Sequence, residues 1–459
     1  MEKNIFREYD IRGEYPTQIN EQDAYTIGRS YGSYIQEKLK RNICGVGHDN
    51  RLSSPSLTEN LIKGITDSGC NVINFGLVTT PMYCYACLKS NVIIGVMVTA
   101  SHNPKDDNGF KFSFDHYGNA RGEQVYDFRD YTFAGKFLSG QGKVTEFDPR
   151  DYYKSFVKER IEMGDRPVKV VLDCGNGTTS LFARDIYSMF PNLDITMICD
   201  ENDATFPNHH PDPAVEENMT MLKEVVSATG ADIGIAFDGD GDRVGFIDEK
   251  CNYITADKAM IALIKEINDK VINKTYVYDV KCSKALEDEI IKVGGNPICY
   301  RTGASYTRYF VNKNKYPFGG EFSGHLFFTD RWPGIDDGIY NGLRMLEILS
   351  KNNIKFSELF EKINHYYSTP EIKVPTPDDV KFDIVKDVLE YSKNKKYNIN
   401  DIDGVRVNFV DGWALVRASN TGPNLTIRFE AENEQRLKEI QNEFESVIKE
   451  SRTKRGLND

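Results

Sequence analysis

Three carboxylates at every second position, Asp238, Asp240 and Asp242, are separated by Gly239 and Gly241 and followed by Arg243. So spaced and relaxed by the two glycines, they can curl round one hard cation. Ile233, Ile235 and Phe237 alternate into the motif and Val244-Gly245-Phe246-Ile247 leaves it, so it joins two strands. A bare polar turn would leave three like charges repelling one another. Asp238, Asp240, Asp242 and Glu249 also match an EF-hand spacing, but Arg243 stands where that loop needs glycine, and strands rather than helices flank it. Three carboxylates leave part of the coordination sphere for a phosphate oxygen, which suits Mg²⁺.

A second chemical stretch is Thr99-Ala100-Ser101-His102-Asn103-Pro104. The apolar run Val92–Val98 before it predicts a buried strand in a parallel sheet, and the Asn-Pro pair forces a turn. A serine on such a turn is held firmly and is expected to reach solvent, as a nucleophile or phosphate carrier must. Alone, the stretch reads as an ordinary loop; the acidic motif is what gives Ser101 and His102 a chemical reading. Gly319-Gly320-Glu321-Phe322-Ser323-Gly324-His325 offers a carboxylate and a hydroxyl for a polyol and an imidazole for a proton. Arg417-Ala418-Ser419-Asn420-Thr421-Gly422-Pro423 offers a guanidinium, hydroxyls and turn amides for phosphate, and equally connects two strands. His209-His210 is poorly spaced for a metal and reads as a surface loop.

The elements that must position these loops follow a repeated order. Ile43–Asp49 is a strand, Ser54-Pro55 caps and starts a helix, Gly69 stops it, and Val72–Phe75 is the next strand. The order recurs at Val168–Asp173, a helix through Phe190, and Ile195–Ile198. It recurs again at Tyr276–Asp279, a helix bearing Leu286, Ile290 and Val293, and Pro297–Tyr300. These are βαβ units, with loops gathered at the C-terminal ends of parallel strands. Asn20 caps an earlier helix with Ala24, Ile27, Tyr31, Tyr34 or Ile35, and Leu39 on one face. Ser368 to Asp379, with three prolines, reads as a linker. Beyond it, Val405–Val410 and Trp413–Arg417 predict a hairpin on a two-residue Asp411-Gly412 turn, with a strand at Leu425–Phe429 and a closing helix through Ile448. Ser451 to Asp459 is expected to fray.

A length of 459 residues suits three or four domains. The formal net charge of -12 argues against nucleic acid or an anionic membrane as main partner, while a local Arg/Lys cluster can still bind phosphate. Nine cysteines, an odd number scattered along the chain, suggest no disulfide frame or zinc site; Cys70 and Cys299 read as small core residues. Met1–Asn4 opens no apolar signal segment and no run is long enough to span a bilayer, so a cytoplasmic location is expected.

Assembled in order, these stretches resemble the α-D-phosphohexomutases, specifically the phosphomannomutase/phosphoglucomutase group. Phe6–Gly13, Thr99–Pro104 with Asn108–Lys111, Phe206–Pro213, Asp238–Arg243, Asp279–Cys282, Gly320–His325, Asp336–Tyr340 and Arg417–Pro423 carry the likeness. The resemblance implies an α/β protein of four domains around a central cleft, three of them related α/β units and the last a smaller α+β domain. The expected bounds are 1–148 with the phosphoserine loop, 149–252 with the metal loop, 253–366 with the sugar loop and 367–459 with a phosphate loop. It implies that Ser101 is the phosphoserine and that Asp238, Asp240, Asp242 and the Ser101 phosphate hold Mg²⁺. Arg12, Lys111, His102 and Arg243 would surround the transferring phosphoryl group, with His325 the candidate base. Tyr9, Lys281, Glu321, Ser323, Arg417, Ser419, Asn420 and Thr421 would hold the sugar and its distal phosphate.

A phosphoserine of roughly −2 charge beside three carboxylates needs a cation, since each like pair near 4 Å costs about 4 kcal/mol at an effective dielectric of about 20. The activity so implied interconverts hexose 1- and 6-phosphates of mannose or glucose through a 1,6-bisphosphate that also serves as activator. Phe322 motivates that sugar choice over glucosamine. A phosphoserine hydrolase and a silent sugar-phosphate-binding protein remain open; Ala304, where the family commonly has histidine, motivates the latter. The partners expected are small phosphosugars, with the oligomeric state left open.

Overall fold

The computed structural model describes residues 1–419 and 422–457. Four sheets organise them, one to each of four domains. In the first, Ile43–His48 lies parallel to Asn71–Leu77 on one side and to Gly95–Val98 on the other, and Gly95–Val98 pairs antiparallel with Asp107–Asp115. The second repeats this with Val168–Asp173 parallel to Leu193–Ile198 and Ile233–Phe237, the latter antiparallel to Val244–Asp248. The third does so with Thr275–Asp279, Asn296–Tyr300, Phe318–Gly320 and Leu326–Phe328. The Ser101, Asp238 and Glu321 loops therefore occupy one topological place in three domains. Each is the turn where a strand leaves the parallel pairing and doubles back, at the end of the sheet where α/β folds collect ligands. The fourth sheet is wholly antiparallel, with Lys381–Asn394 and Glu434–Lys454 packed on it, and Arg417 lies at the end of its strand Gly412–Ala418, which pairs with Asn424–Ala431.

Local chemistry explains the elements. Asn20 caps Glu21–Leu39 in a reciprocal capping box with Asp23, and Ala24, Ile27, Tyr31 and Ile35 are buried. One apolar cluster runs from Phe75 through Phe182 and Phe237 to Phe356, so the first three domains share a continuous core. This keeps their loops in fixed relation.

Several expectations are corrected. The strand before Ser101 is only Gly95–Val98 and belongs to a mixed sheet. The cap of Ser54–Asp67 falls on Ser53. The helix expected through Phe190 breaks into a 3₁₀ turn at Thr178–Leu181 and Ala183–Tyr187. The supposed linker supplies two strands, Tyr367–Ser368 and Ile372–Pro375, on the edge of the last sheet. Asp411-Gly412 is not a two-residue turn: Phe409 N–H donates to Gly412 O (2.8 Å), and Gly412 begins the next strand. There a Cβ would come within 2.3 Å of the Glu430 carbonyl, so close pairing rather than turn geometry demands the glycine. The tail is helical to Lys454, because Ser451, 2 % exposed, and Arg455 both donate to Asp387 Oδ2 (2.6 Å each).

Candidate active site

Ser101 adopts φ +52, a left-handed conformation uncommon for serine, and its N–H donates to Thr99 Oγ1 (2.8 Å). Its Oγ donates to Asp238 Oδ2 (2.8 Å), which joins the first domain's chemical loop to the second's. The expectation that Ser101 reaches solvent is corrected: it is 1 % exposed. Asp238 takes its hydroxyl, and the acidic loop packs on its carbonyl so closely that a Cβ on Gly239 would lie 2.6 Å from Ser101 O. Beneath the turn, Arg51 donates to four backbone carbonyls: Ser101 (2.8 Å), Asn103 (2.7 Å), Pro104 (2.5 Å) and Asp107 (2.9 Å). Arg51 was not picked out from sequence; its only signal was its place two residues beyond the strand-end Asp49.

The donor oxygens of Asp238, Asp240 and Asp242 lie within 4.8 Å of one another, and all three residues are buried. Lys111 Nζ donates to Asp240 Oδ2 and Asp242 Oδ2 at 2.7 Å each, and Thr80 and Thr99 hydroxyls donate to Asp240 Oδ2 (2.5 and 3.2 Å). Burial, with Asp242 and Asp240 alongside, pushes the Asp238 carboxyl well above the usual carboxylate range. Burial also opposes ionisation of Asp240 and Asp242, but Lys111 outweighs it and holds both below that range. Asp240 Oδ1 and Asp242 Oδ1 are buried and accept no hydrogen bond. Two orphaned hard-oxygen donors beside Asp238 and the Ser101 hydroxyl fit a divalent cation of the Mg²⁺ type.

Arg12 sits on the other side of the serine turn. Its Nε donates to Asp10 Oδ2 (2.6 Å) and Nη1 to Asn103 Oδ1 (2.7 Å) and Ala100 O (3.2 Å). Arg243 Nε lies 3.9 Å from Asp238 Oδ2 and donates to His325 Nε2 (3.0 Å). His325 Nδ1 meets Asp336 Oδ2 (3.0 Å) and so carries the proton. Nε2 is unprotonated and its lone pair accepts from Arg243, so it can take a proton once that guanidinium turns away. Ser101, Asp238, Arg243, His325 and Asp336 thus form one chain of contacts across three domains. His102 Nδ1 is 3.3 Å from Ser101 Oγ; burial, then Arg243 and Arg12, push its pKa well down, leaving it neutral.

Glu321 accepts from Gly303 N (2.9 Å), Thr307 Oγ1 (2.8 Å) and Ser323 Oγ (3.3 Å), and burial raises its pKa. Gly303 borders Tyr9, whose phenol burial pushes up to about 12. Ala304 begins the next helix, Ala304–Asn314, and packs on an apolar cluster with Val277, Val311 and Phe327. Lys281 pairs with Glu371 (3.0 Å), which Lys281 holds down to about 2, and Arg417 pairs with Asp403 (3.0 Å). Lys281, Arg417 and Ser419 are buried. Glu371 and Asp403 escaped sequence reading because they hold partners distant along the chain. Asn420 and Thr421 lie outside the described residues. The surface-loop reading of His209 is corrected: it is half-buried with Nε2 3.0 Å from Asp173 Oδ2.

Comparison with known proteins agrees with this architecture. Domains I, II and III of phosphoglucomutase/phosphomannomutase match residues 3–135, 150–252 and 255–366, and the family's C-terminal domain matches 371–447. A phosphomannomutase/phosphoglucomutase of Pseudomonas syringae pv. tomato is 40% identical over 97% of this chain and 95% of its own. A phosphoglucomutase of Neisseria meningitidis serogroup A is 38% identical over 97% of each. The crystal structure of a phosphoglucomutase/phosphomannomutase family protein from Burkholderia thailandensis superposes with a TM-score of 0.92, at 33% identity, covering 100% of this chain and 99% of that one. With all four domains matched in order along the chain, the chain belongs to the phosphoglucomutase/phosphomannomutase family.

Proposed function

We propose that this chain is a phosphohexomutase that interconverts hexose 1- and 6-phosphates, with mannose and glucose as substrates. The observation that carries it is the contact of Ser101 Oγ with Asp238 at 2.8 Å, beside two orphaned carboxylate oxygens, with Lys111 on the acidic triplet and Arg12 and Arg243 alongside. In the phosphorylated enzyme a sugar hydroxyl attacks phosphorus as the bond to Ser101 Oγ breaks; the hydroxyl proton passes to His325 Nε2, and charge builds on Oγ. The 1,6-bisphosphate so formed turns round, and Ser101 Oγ takes its other phosphoryl group by the same steps reversed. Asp238, Asp240, Asp242 and a Ser101 phosphate oxygen would hold Mg²⁺, which would supply charge stabilisation at the transferring group. Arg12, Lys111 and Arg243 neutralise the equatorial oxygens, and the gain is chiefly positioning and electrostatics.

Lys281, Arg417 and Ser419, with Asn420 and Thr421, are assigned to the distal phosphate, and Glu321, Ser323 and Tyr9 to the sugar. Lys281 is held by Glu371, with Asp279 at 4.0 Å, and Arg417 by Asp403, pairings that a phosphate dianion can displace. Phe322, the apolar residue between Glu321 and Ser323, stacks against the Arg428 guanidinium, 3.8 Å from its ring centroid. The domains carrying these roles are taken as 1–148, 149–252, 253–366 and 367–459, and the location as cytoplasmic.

The test measures turnover of mannose, glucose and glucosamine 1-phosphates with Mg²⁺ and glucose 1,6-bisphosphate, with peptide mapping of the phosphorylated residue. Turnover of the first two and phosphate on Ser101 are expected. Preference for glucosamine would instead make this a phosphoglucosamine mutase. Steady release of inorganic phosphate without isomerised sugar would make it a hydrolase, and binding without turnover a silent receptor.

A further inference from the structure

The second domain carries another cluster that the reaction leaves unused. Asp173 ends the strand Val168–Asp173, Cys199 follows the neighbouring strand Leu193–Ile198, and His209 comes from the loop beyond. Three separate segments thus bring a carboxylate, a thiol and an imidazole together, one donor atom from each lying within 4.8 Å of the others. Cys199 adopts φ +47, in the left-handed region, and its C=O is tied into the turn after Asp173: Asn176 N–H donates to Cys199 O at 2.8 Å.

The hydrogen bonds of His209 decide what this cluster suits. Nδ1 lies 3.0 Å from the His210 carbonyl, which can only accept, so Nδ1 carries a proton. Nε2 then faces Asp173 Oδ2 at 3.0 Å and Oδ1 at 3.2 Å. Two groups with lone pairs at that distance need a positive centre between them, either a second imidazole proton or a metal ion. A nucleophilic Cys-His-Asp relay is excluded, because it needs one ring nitrogen for the thiol and the other for the carboxylate. Here carboxylate and carbonyl occupy the two. An Nδ1–H bound to a backbone carbonyl is the usual way a metal-binding imidazole is oriented. Tetrahedral bonds of about 2.0 Å from zinc to nitrogen and oxygen would separate those atoms by about 3.3 Å, close to the observed spacing. Met221 Sδ lies 3.5 Å from Cys199 Sγ, adding a soft donor on the sulfur side.

We infer that Asp173, Cys199 and His209 form a binding site for a thiophilic divalent cation, zinc, distinct from the Asp238–Asp242 site. The two sites differ in donor chemistry: three hard carboxylates hold the one, while mixed sulfur, nitrogen and oxygen donors make the other. Their loops touch, since Thr178 N–H donates to Gly239 O (2.9 Å) and a Cβ on Gly177 would come within 2.8 Å of that oxygen. Zinc would therefore brace the Gly175–Thr178 turn on which the acidic loop rests.

The full chain, held in excess Mg²⁺ to fill the carboxylate site, is titrated with Co²⁺ and then Zn²⁺. One equivalent of Co²⁺ is expected to give a thiolate-to-cobalt charge-transfer band that one equivalent of Zn²⁺ abolishes. Both Cys199→Ser and His209→Gln should lose the band. Zn²⁺ should also slow alkylation of Cys199 in the unaltered protein at least tenfold, read by peptide mass, which keeps the test valid if a variant misfolds. No band, a band that survives in Cys199→Ser, or unchanged Cys199 alkylation would each overturn the assignment.

Discussion

Lys111 offers the sharpest check on the electrostatics of the site. Its ammonium is buried and bonded at 2.7 Å to both Asp240 and Asp242, where it stands in for part of the charge a divalent ion would bring. At an effective dielectric of about 20, each of those contacts is worth about 6 kcal/mol of Coulomb attraction. Desolvation of the three groups offsets most of that sum, and removing one partner of a buried ion pair typically costs about 3–5 kcal/mol. Lys111→Met, of similar length, should therefore destabilise the protein by about 3–5 kcal/mol in chelator, seen in the urea transition that exposes the first two domains.

With Mg²⁺ added, the effect on affinity should reverse in sign. The cation no longer shares the carboxylates with an ammonium, so Mg²⁺ should bind Lys111→Met at least tenfold more tightly, with about 5 × 10³-fold as the ceiling if a full 5 kcal/mol is recovered. Turnover should nevertheless fall by about 10²–10³, because one fixed positive charge on the transferring phosphoryl is lost. Calorimetric titration of Mg²⁺ into both proteins, with Asp240→Asn as a non-binding control, decides the matter. Weaker Mg²⁺ binding by Lys111→Met, or unchanged stability in chelator, would refute the reasoning.

Arg51→Lys cannot hold four carbonyls at once, so kcat should drop about 10²-fold while KM changes little; an unchanged kcat would show that the Ser101 turn is rigid without it. Asp336→Asn no longer fixes the proton on Nδ1 of His325, and His325→Gln removes the imidazole. Both should lower kcat, the latter by about 10²–10⁴, with KM little changed; an unchanged kcat in His325→Gln would remove it as the base. Asp337 is raised by burial to about 7, though Tyr340 N–H (3.0 Å) and Tyr153 Oη (2.7 Å) donate to it. A folded-state value above the unfolded one means the native state holds the extra proton, so this group's contribution is full below about pH 4 and is lost as pH rises towards 7. Asp337→Asn should remove that slope and raise the unfolding midpoint at pH 8 relative to pH 5, which thermal scans at the two pH values would show.

The sequence disclosed the parts of the fold that depend on local periodicity. The three βαβ units, the Asn20 cap and the strand-flanked acidic motif were all legible, since each is written in residues close together along the chain. Elements that rest on distant partners were misread. Ile372–Pro375 looks like a linker until Asn424–Ala431 is beside it, and Ser451 looks frayed until Asp387 is in reach. The same rule governs the site. Ser101 and the three aspartates announce themselves by type and spacing, whereas Arg51, Asp336, Glu371 and Asp403 act only by holding something else, and residue type carries no mark of that work.

The burial of Ser101 extends this argument to mechanism. Its hydroxyl is closed off by an aspartate of the next domain, not by its own loop. A phosphate on Oγ cannot coexist with that direct contact, so phosphorylation must separate Ser101 from Asp238. The unphosphorylated and phosphorylated enzymes then differ at the junction of the first two domains, where Thr80 N–H also donates to Asp240 O (2.9 Å). Amide hydrogen exchange across Thr99–Asn103 and Asp238–Arg243 should therefore be faster in the phosphorylated protein without Mg²⁺ and slow again when Mg²⁺ is added. Identical exchange in all three states would mean that the junction is indifferent to the group it carries.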